Sequence, residues 1–358
     1  MTRDQLLVLL DLARWAPSGD NTQPWRFEIT ADDQAIVHGF DTRDDVIYDF
    51  DGHASHLAHG ALIETMAIAA SGCGHSLSWT AESDTSDRHP RYRITFFPSP
   101  RLQPSPLLSC IERRVVQRRP MSGALTTEQR EAIRAAVGED FSLTFFETFA
   151  ERLQVAKLLW HNAHIRLTCP EAFPVHQSII EWGVRFSGDR LPERAVGVDP
   201  MTGLLMRWIM KDWRRVNFFN RYLFGTIPPR IQLDFLPAIR CAAHILLKPH
   251  RPPVALDDWI AAGRTMQRLW LTTTQLGLHL QPEMTPVIFR WYAQANRPVS
   301  ATPKINSSAV ALARRFESLS DSDADSPFSF FCRVGECRPP TSRSLRLPLD
   351  RLLAKYDS

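Results

Sequence analysis

The 358-residue chain carries a formal net charge of +3, a sequence pI of about 8.6 and 44% hydrophobic residues. That is ample apolar material for one large domain or two ordinary ones. The charge is too near neutral, and its signs too interspersed, to indicate a nucleic acid or a membrane surface as partner. Only five of the 42 basic residues are Lys, so a bound anion is expected on Arg or on backbone N–H groups.

"LLVLLDLA" near the N terminus is too short for a membrane span and is interrupted by Asp11. No signal peptide or transmembrane segment is evident, so the expected compartment is the cytoplasm. "TRDQLLVLLDLARWA" reads as an amphipathic helix capped by Thr2. It stops at Pro17 within "ARWAPSGDNTQPWRF", a polar loop that re-enters an apolar segment at Gln23-Pro24-Trp25. There the small residues Ser18 and Gly19 let backbone N–H groups approach a ligand, while Asn21 and Gln23 supply amides that donate and accept. The same composition also suits an ordinary turn.

His53, His56 and His59 follow at spacings of three, the pattern of a zinc or nickel site if helical. No carboxylate is placed to orient the rings, and the expectation is no metal. "GALIETMAIAASGCGHSL" from Gly60 reads as a buried helix ending at Gly74, followed by a strand "RYRITFFP" at 91–98. A Pro- and Ser-rich join at 98–106 precedes the basic run "IERRVVQRRP" at 111–120.

After the join the pattern recurs. "TTEQREAIRAAVGED" is a second Thr-capped helix, leading directly into "SLTFFET" with no polar loop between. "GRTMQRLWLTTTQLGLHL" from Gly263 repeats the Gly60 helix, with Gly277 in the place of Gly74, and "SPFSFFCRV" at 326–334 repeats the strand. A tandem pair of α+β units is the organisation this implies. Between the repeats, residues 165–235 are rich in Trp, Phe and Arg and read as two or three short helices. The six cysteines lack paired spacings and fit reduced thiols. Cys332 and Cys337, the one close pair, have no second pair to complete a zinc site.

The loop after the first helix and the Arg-rich runs at 111–120 and 342–353 together suit a ligand with a phosphate at one end and a flat heteroaromatic ring at the other. "APSGDNTQPWRF" resembles the flavin-contacting loop of the FMN-dependent nitroreductase superfamily. "RRVVQRRPM" resembles that family's basic stretch, and "FCRVGECRPPTSRSLRLPLDRLL" its C-terminal strand and phosphate-closing segment. Val116 stands where the family commonly has Ser or Thr, and Ser344 where Lys is usual, with Arg343 beside it as a substitute.

The resemblance implies a nitroreductase-like three-layer α/β/α fold with antiparallel-rich sheets, in which two fused copies form a pseudo-dimer. The first half is 1–105 and the second 106–358, with a lid inserted at about 165–235. One FMN per chain is implied, held by Pro17, Ser18, Gly19, Asn21 and Gln23 from the first half. The second half would add Arg113, Arg114, Arg118, Arg343 and Arg346, and the backbone of Glu283, Met284 and Thr285 near flavin N5. Trp182, Phe186, Trp208 and Trp213 become candidate walls of a substrate cavity, although ordinary helix packing against the core is the commoner explanation for any single one of them. The implied function is hydride transfer through the flavin to or from a small organic substrate, with NAD(P)H as possible reductant and no side-chain catalyst. A monomer suffices for one site. The alternatives are a flavin-sequestering protein with a closed lid, a substrate-specific dehydrogenase or oxidase, and a binding partner that has lost FMN.

Overall fold

The computed structural model describes residues 1–354. The chain opens with α1 (Arg3–Ala13), β1 (Trp25–Ala31), β2 (Gln34–Gly39), α2 (His53–Ser71), β3 (His75–Ala81) and β4 (Arg91–Pro98). The four strands form one antiparallel sheet in the order β1-β2-β4-β3. Alternation along β4 turns Tyr92, Ile94 and Phe96 into the core and leaves Arg93 exposed. Thr2 and Gln5 close a reciprocal capping box at the start of α1.

Next come α3 (Thr127–Ala135), capped by the same box from Thr126 and Gln129, then β5 (Phe141–Phe146) and α4 (Phe149–Thr168). The stretch expected to be an inserted region holds α5 (Ala172–Ile179), three two-residue strands β6 (Ile180–Glu181), β7 (Phe186–Ser187) and β8 (Leu191–Pro192), then α6 (Pro200–Ile209) and α7 (Trp213–Tyr222). A helical stretch closes it: α8 (Ile227–Pro229), a π-helical segment Arg230–Phe235, and α9 (Leu236–Ile239). The chain then returns through β9 (Ala243–Pro249), α10 (Leu256–Gln275), β10 (His279–Pro282), α11 (Thr285–Gln294), α12 (Pro303–Leu319) and β11 (Phe330–Gly335). These strands form a second antiparallel sheet, β10-β11-β9-β5, in which every residue of β11 is buried. Two antiparallel sheets with helices packed on them make the fold α+β.

α2 and α10 are the centre. Side chains of both helices enter the core under the first sheet, through Leu62, Met66 and Ile260, and the core under the second, through Ala61, Met266 and Trp270. The helices begin seven residues earlier than the Gly60 and Gly263 patterns indicate, so both glycines lie mid-helix. A mid-helix Gly costs about 1 kcal/mol relative to Ala, and here the crossing requires it. A Cβ on Gly60 would stand 2.2 Å from Ile260 O, and a Cβ on Gly263 2.2 Å from Leu57 O. Each glycine thus receives the carbonyl three residues before the other. Gly74 and Gly277 end the two helix regions with φ of 69° and 76°.

The predicted strand at 326–334 is shorter at its start, because β11 begins only at Phe330. Beyond it come β12 (Arg343–Ser344) and α13 (Leu349–Leu352), which carry the chain back to the first sheet. Leu353 bridges Phe27, and the Ala354 N–H donates to Phe27 O at 2.7 Å. This terminal arm brings second-half arginines to the loop after α1.

Candidate functional site

The loop after α1 is built on left-handed backbone. Asp20, Asn21 and Gln23 have φ of 50°, 65° and 49°, a conformation that is strained for most non-glycine residues and concentrates at functional sites. The Gln23 N–H donates to Ser18 Oγ at 2.9 Å and the Thr22 N–H to Gly19 O at 3.0 Å, which holds the coil. Gly19 itself is exposed, is not left-handed, and has open space where a Cβ would stand. Gly19 is absent from the lining of the cleft that its neighbours form.

Pro17, Ser18, Asp20 and Asn21 form one wall of a cleft of ≈ 80 Å³. Opposite them stand Arg114, Val116 and Arg118 from the basic run, and Arg343, Ser344 and Arg346 from the terminal arm. Trp270 of α10 and the inserted region's Leu191 and Ala195 complete the lining. Arg114 is buried, donates to Trp15 O at 2.8 Å, and stacks on Trp270 at 4.5 Å. Arg346 donates to Ala16 O at 3.0 Å and to Asn21 Oδ1 at 2.8 Å. Arg343 donates to Glu112 O at 2.9 Å and lies 4.9 Å from the Trp15 ring. Arg118 makes a 3.4 Å contact to Ala195 O.

No ion pair among the described residues engages any of these four guanidiniums. Burial, and then repulsion from Arg346 and Arg343, push the Arg114 pKa well down; burial and then Arg343 and Arg14 push Arg346 down to about 9. Burial takes Arg118 down to about 10, against the attraction of Asp20. A guanidinium keeps its proton at neutral pH, so the shifts express the cost of burying and crowding cations whose one nearby carboxylate, Asp20, acts on Arg118. The Nε atoms of Arg114 and Arg343 are buried without a partner.

The donor set therefore fits an anion, with an aromatic wall beside it. A volume of ≈ 80 Å³ is below the ~300 Å³ at which small-molecule pockets begin, so a flavin-sized ligand requires the inserted strands to shift. Those strands close the cleft now. β7 pairs with β12, and Gly188 O accepts from Asn21 Nδ2 at 3.1 Å and from Gln23 Nε2 at 3.0 Å. Val116 bridges Leu280 and presents no hydroxyl; Ser344 Oγ donates to Arg190 O at 2.9 Å.

Other expected residues lie elsewhere. Arg113 is exposed and outside the lining, because it lies in a turn, closed by the Arg114 N–H donating to Cys110 O at 2.9 Å, that leaves its side chain in solvent while Arg114 is buried. Glu283 is buried between His244 and Arg333, 2.7 Å from each. Burial opposes its charge, but His244 and Arg333 outweigh it and hold the carboxyl below its usual range. Its N–H donates to Phe331 O at 2.7 Å and is not available to a ligand. Met284 and Thr285 open α11, with Thr285 Oγ1 accepting from Asn162 Nδ2, and neither lines the cleft. None of Trp182, Phe186, Trp208 and Trp213 lines the cleft. Trp182 packs on Ile180, Leu191 and Val196, Trp213 lies 5.6 Å from Phe173, and Phe186 and Trp208 are exposed. The inserted region faces the cleft with small and aliphatic residues instead.

The three histidines share α2 but point to separate neighbours. His53 stacks on Trp259 at 3.8 Å, and His59 bonds Tyr92 Oη and Pro24 O. Burial lowers His53 and His56 to about 4 and His59 to about 3. Among the described residues no group of three or more His, Cys, Asp or Glu is arranged as metal ligands.

Sequence reasoning passed over a polar cluster beside the cleft. Tyr48 Oη lies 2.9 Å from His176 Nε2, and Arg166 pairs with Asp234 of the π-helical segment at 2.8 Å. Burial raises Asp20, against Arg118 and Arg166, and its carboxylate has no hydrogen-bond partner among the described residues. The available signal was the acidic residue inside the quoted loop; nothing local marked Tyr48. A second depression, lined by Arg26, Phe40 and Arg91, is larger at ≈ 560 Å³, but its arginines are already satisfied. Arg91 pairs with Glu82 and Asp84, and Arg26 stacks on Phe40.

No protein-family model matches the chain, and no curated protein matches it. Among solved structures the chain is similar to a nitroreductase with bound FMN from Desulfitobacterium hafniense, at 12% identity over 71% of this chain and 99% of that one, TM-score 0.37. It is similar to an FMN and NADPH-dependent nitroreductase from a sphigopyxis strain at 11% identity over 70% and 99%, TM-score 0.38. It is also similar to the NADPH:FMN oxidoreductase from Vibrio harveyi complexed with NAD+, at 10% identity over 71% and 78%, TM-score 0.36.

Proposed function

We propose that the arginine-lined cleft binds one flavin mononucleotide per chain and that the protein is an FMN-dependent oxidoreductase of the nitroreductase type, acting on a small organic substrate. The observation that carries this reading is the set of four guanidiniums without a carboxylate partner, facing a strained, amide-bearing loop. Arg114, Arg343 and Arg346 are suited to neutralise a phosphate, and Arg118 adds a fourth charge at the cleft wall. Asn21 and Gln23 are suited to read ring carbonyls and nitrogens once released from Gly188 O. Trp270 offers a flat apolar wall, and Leu191 and Ala195 exclude water. Flavin mononucleotide supplies hydride chemistry when bound; the protein supplies binding, orientation and electrostatics. NAD(P)H is the candidate reductant.

The reading also treats residues 1–105 and 106–358 as two related halves, with 165–235 as a lid. Support comes from the matching capping boxes of α1 and α3 and the reciprocal Gly60 and Gly263 contacts. A second reading, flavin sequestration with little turnover, is favoured by one observation: β7 and Gly188 of the lid latch directly onto the terminal arm and the loop.

Anaerobic addition of NADPH to the FMN-reconstituted protein tests the choice. Rapid bleaching of the oxidised flavin's visible absorption band supports the oxidoreductase. A bound flavin bleached only by dithionite supports sequestration, and failure to take up FMN contradicts both.

A further inference from the structure

α6 and α7 turn an apolar face away from the rest of the molecule. Met201, Leu204 and Trp208 follow at helical spacing and are 81%, 67% and 49% exposed. On α7 and its exit, Phe218, Tyr222 and Phe224 are 52%, 60% and 75% exposed. The two faces are continuous, because Trp208 meets Phe219 at 5.9 Å, Phe219 meets Phe218 at 6.1 Å, and Phe218 meets Tyr222 at 5.2 Å. Scattered exposed apolar residues need no explanation, but a contiguous aromatic and aliphatic patch marks an interaction surface.

Charge identifies the partner. Residues 201–224 contain five cations, at positions 207, 211, 214, 215 and 221, and one acid, Asp212, giving five minus one, or +4. The whole chain carries +3, so this segment holds more than the molecule's entire net charge, and the near-neutral total that points away from a membrane surface conceals a local excess. Asp212 is occupied in capping α7, where it accepts from the Arg214 N–H at 2.8 Å. None of the five cations forms an ion pair among the described residues. A second copy docked face to face would set one +4 patch against another, which is unfavourable.

We infer that the α6–α7 hairpin is an interfacial docking surface for an anionic lipid bilayer. Its aliphatic and ring side chains enter the headgroup boundary, Trp208 and Tyr222 sit at interfacial depth, and the arginines meet lipid phosphates. The hairpin lies on the bilayer and does not span it; no helix among the described residues is long and apolar enough to cross one. The inference rests on the lid surface alone and stands or falls independently of the cofactor assigned to the cleft.

The test is flotation of the full chain with phosphatidylcholine vesicles, with and without about one quarter phosphatidylglycerol, at low and high salt. Retention on the anionic vesicles only, weakened by salt, is expected. Arg214→Gln with Arg221→Gln should weaken that binding about thirtyfold, from about 1 kcal/mol per cation. Met201→Ser with Leu204→Ser should weaken it about tenfold or more. Both pairs are exposed, and an unchanged melting temperature verifies the fold. Failure to bind anionic vesicles at low salt overturns the inference, as does equal binding by the charge variant. A solution dimer abolished by Met201→Ser with Leu204→Ser, without lipid binding, reassigns the patch to self-association.

Discussion

Arg114 and Arg346 show how one residue type serves two purposes in a dry site. Each satisfies a backbone carbonyl of the loop region, Trp15 O or Ala16 O, while keeping charge directed at the cleft. Replacing either with Ala should weaken FMN binding by about 1.5–3 kcal/mol, or roughly 10- to 150-fold, in a fluorescence titration; unchanged affinity in both removes the arginines from the site. Glu283 belongs to the opposite category. Glu283→Ala leaves Arg333 and His244 buried without their partner and should cost about 3–5 kcal/mol of stability in denaturant unfolding, with flavin affinity per folded molecule unchanged. The buried histidines give a pH signature. His53, His56, His59 and His176 are depressed to about 3–4, whereas an unfolded imidazole takes its proton near 6.5. Below pH ~6.5 the unfolded state therefore binds more protons, so stability falls as pH drops from 6.5 toward 4. The melting temperature should fall across that interval, less steeply in His59→Gln, and a flat profile contradicts the assignment.

At the scale of elements, the α2–α10 crossing is the most demanding contact in the molecule. Gly60→Ala or Gly263→Ala forces a methyl against a backbone carbonyl that cannot rotate away. Destabilisation should reach about 3 kcal/mol, beyond the gain in helix propensity, and thermal unfolding measures it; a neutral change contradicts the close packing. Much at this scale was legible in the sequence. The Thr2 and Thr126 caps, the strand at 91–98 and the helix ends at Gly74 and Gly277 each follow from local chemistry with one geometric answer. Helix starts were less legible, because α2 is buried nearly all round and opens on polar residues, His53, Ser55, His56 and His59, so no apolar stripe marks its first turns. The lid aromatics misled for a related reason. Sequence shows Trp208 and Phe186 as large apolar side chains, but which face they occupy depends on how α6 and β7 dock, a tertiary fact.

For the whole molecule, the cleft exists because the terminal arm crosses from the second sheet to the first, ending on Phe27. The loop, the basic run and the arm were each readable as separate segments; that they converge was an expectation from resemblance. Tyr48, Arg166 and Asp234 come together only through the inserted region, which has no local signature. The composite arrangement has no mirror. Residues 136–140 alone join α3 to β5, and they contain no counterpart of the strained loop. The most direct measurement is therefore equilibrium titration of the purified chain with FMN, followed by flavin fluorescence and checked by calorimetry. Saturation at one flavin per chain, weakened by Arg114→Ala and Arg346→Ala, is the predicted result. No binding, or two flavins per chain held equally well by both variants, would contradict it.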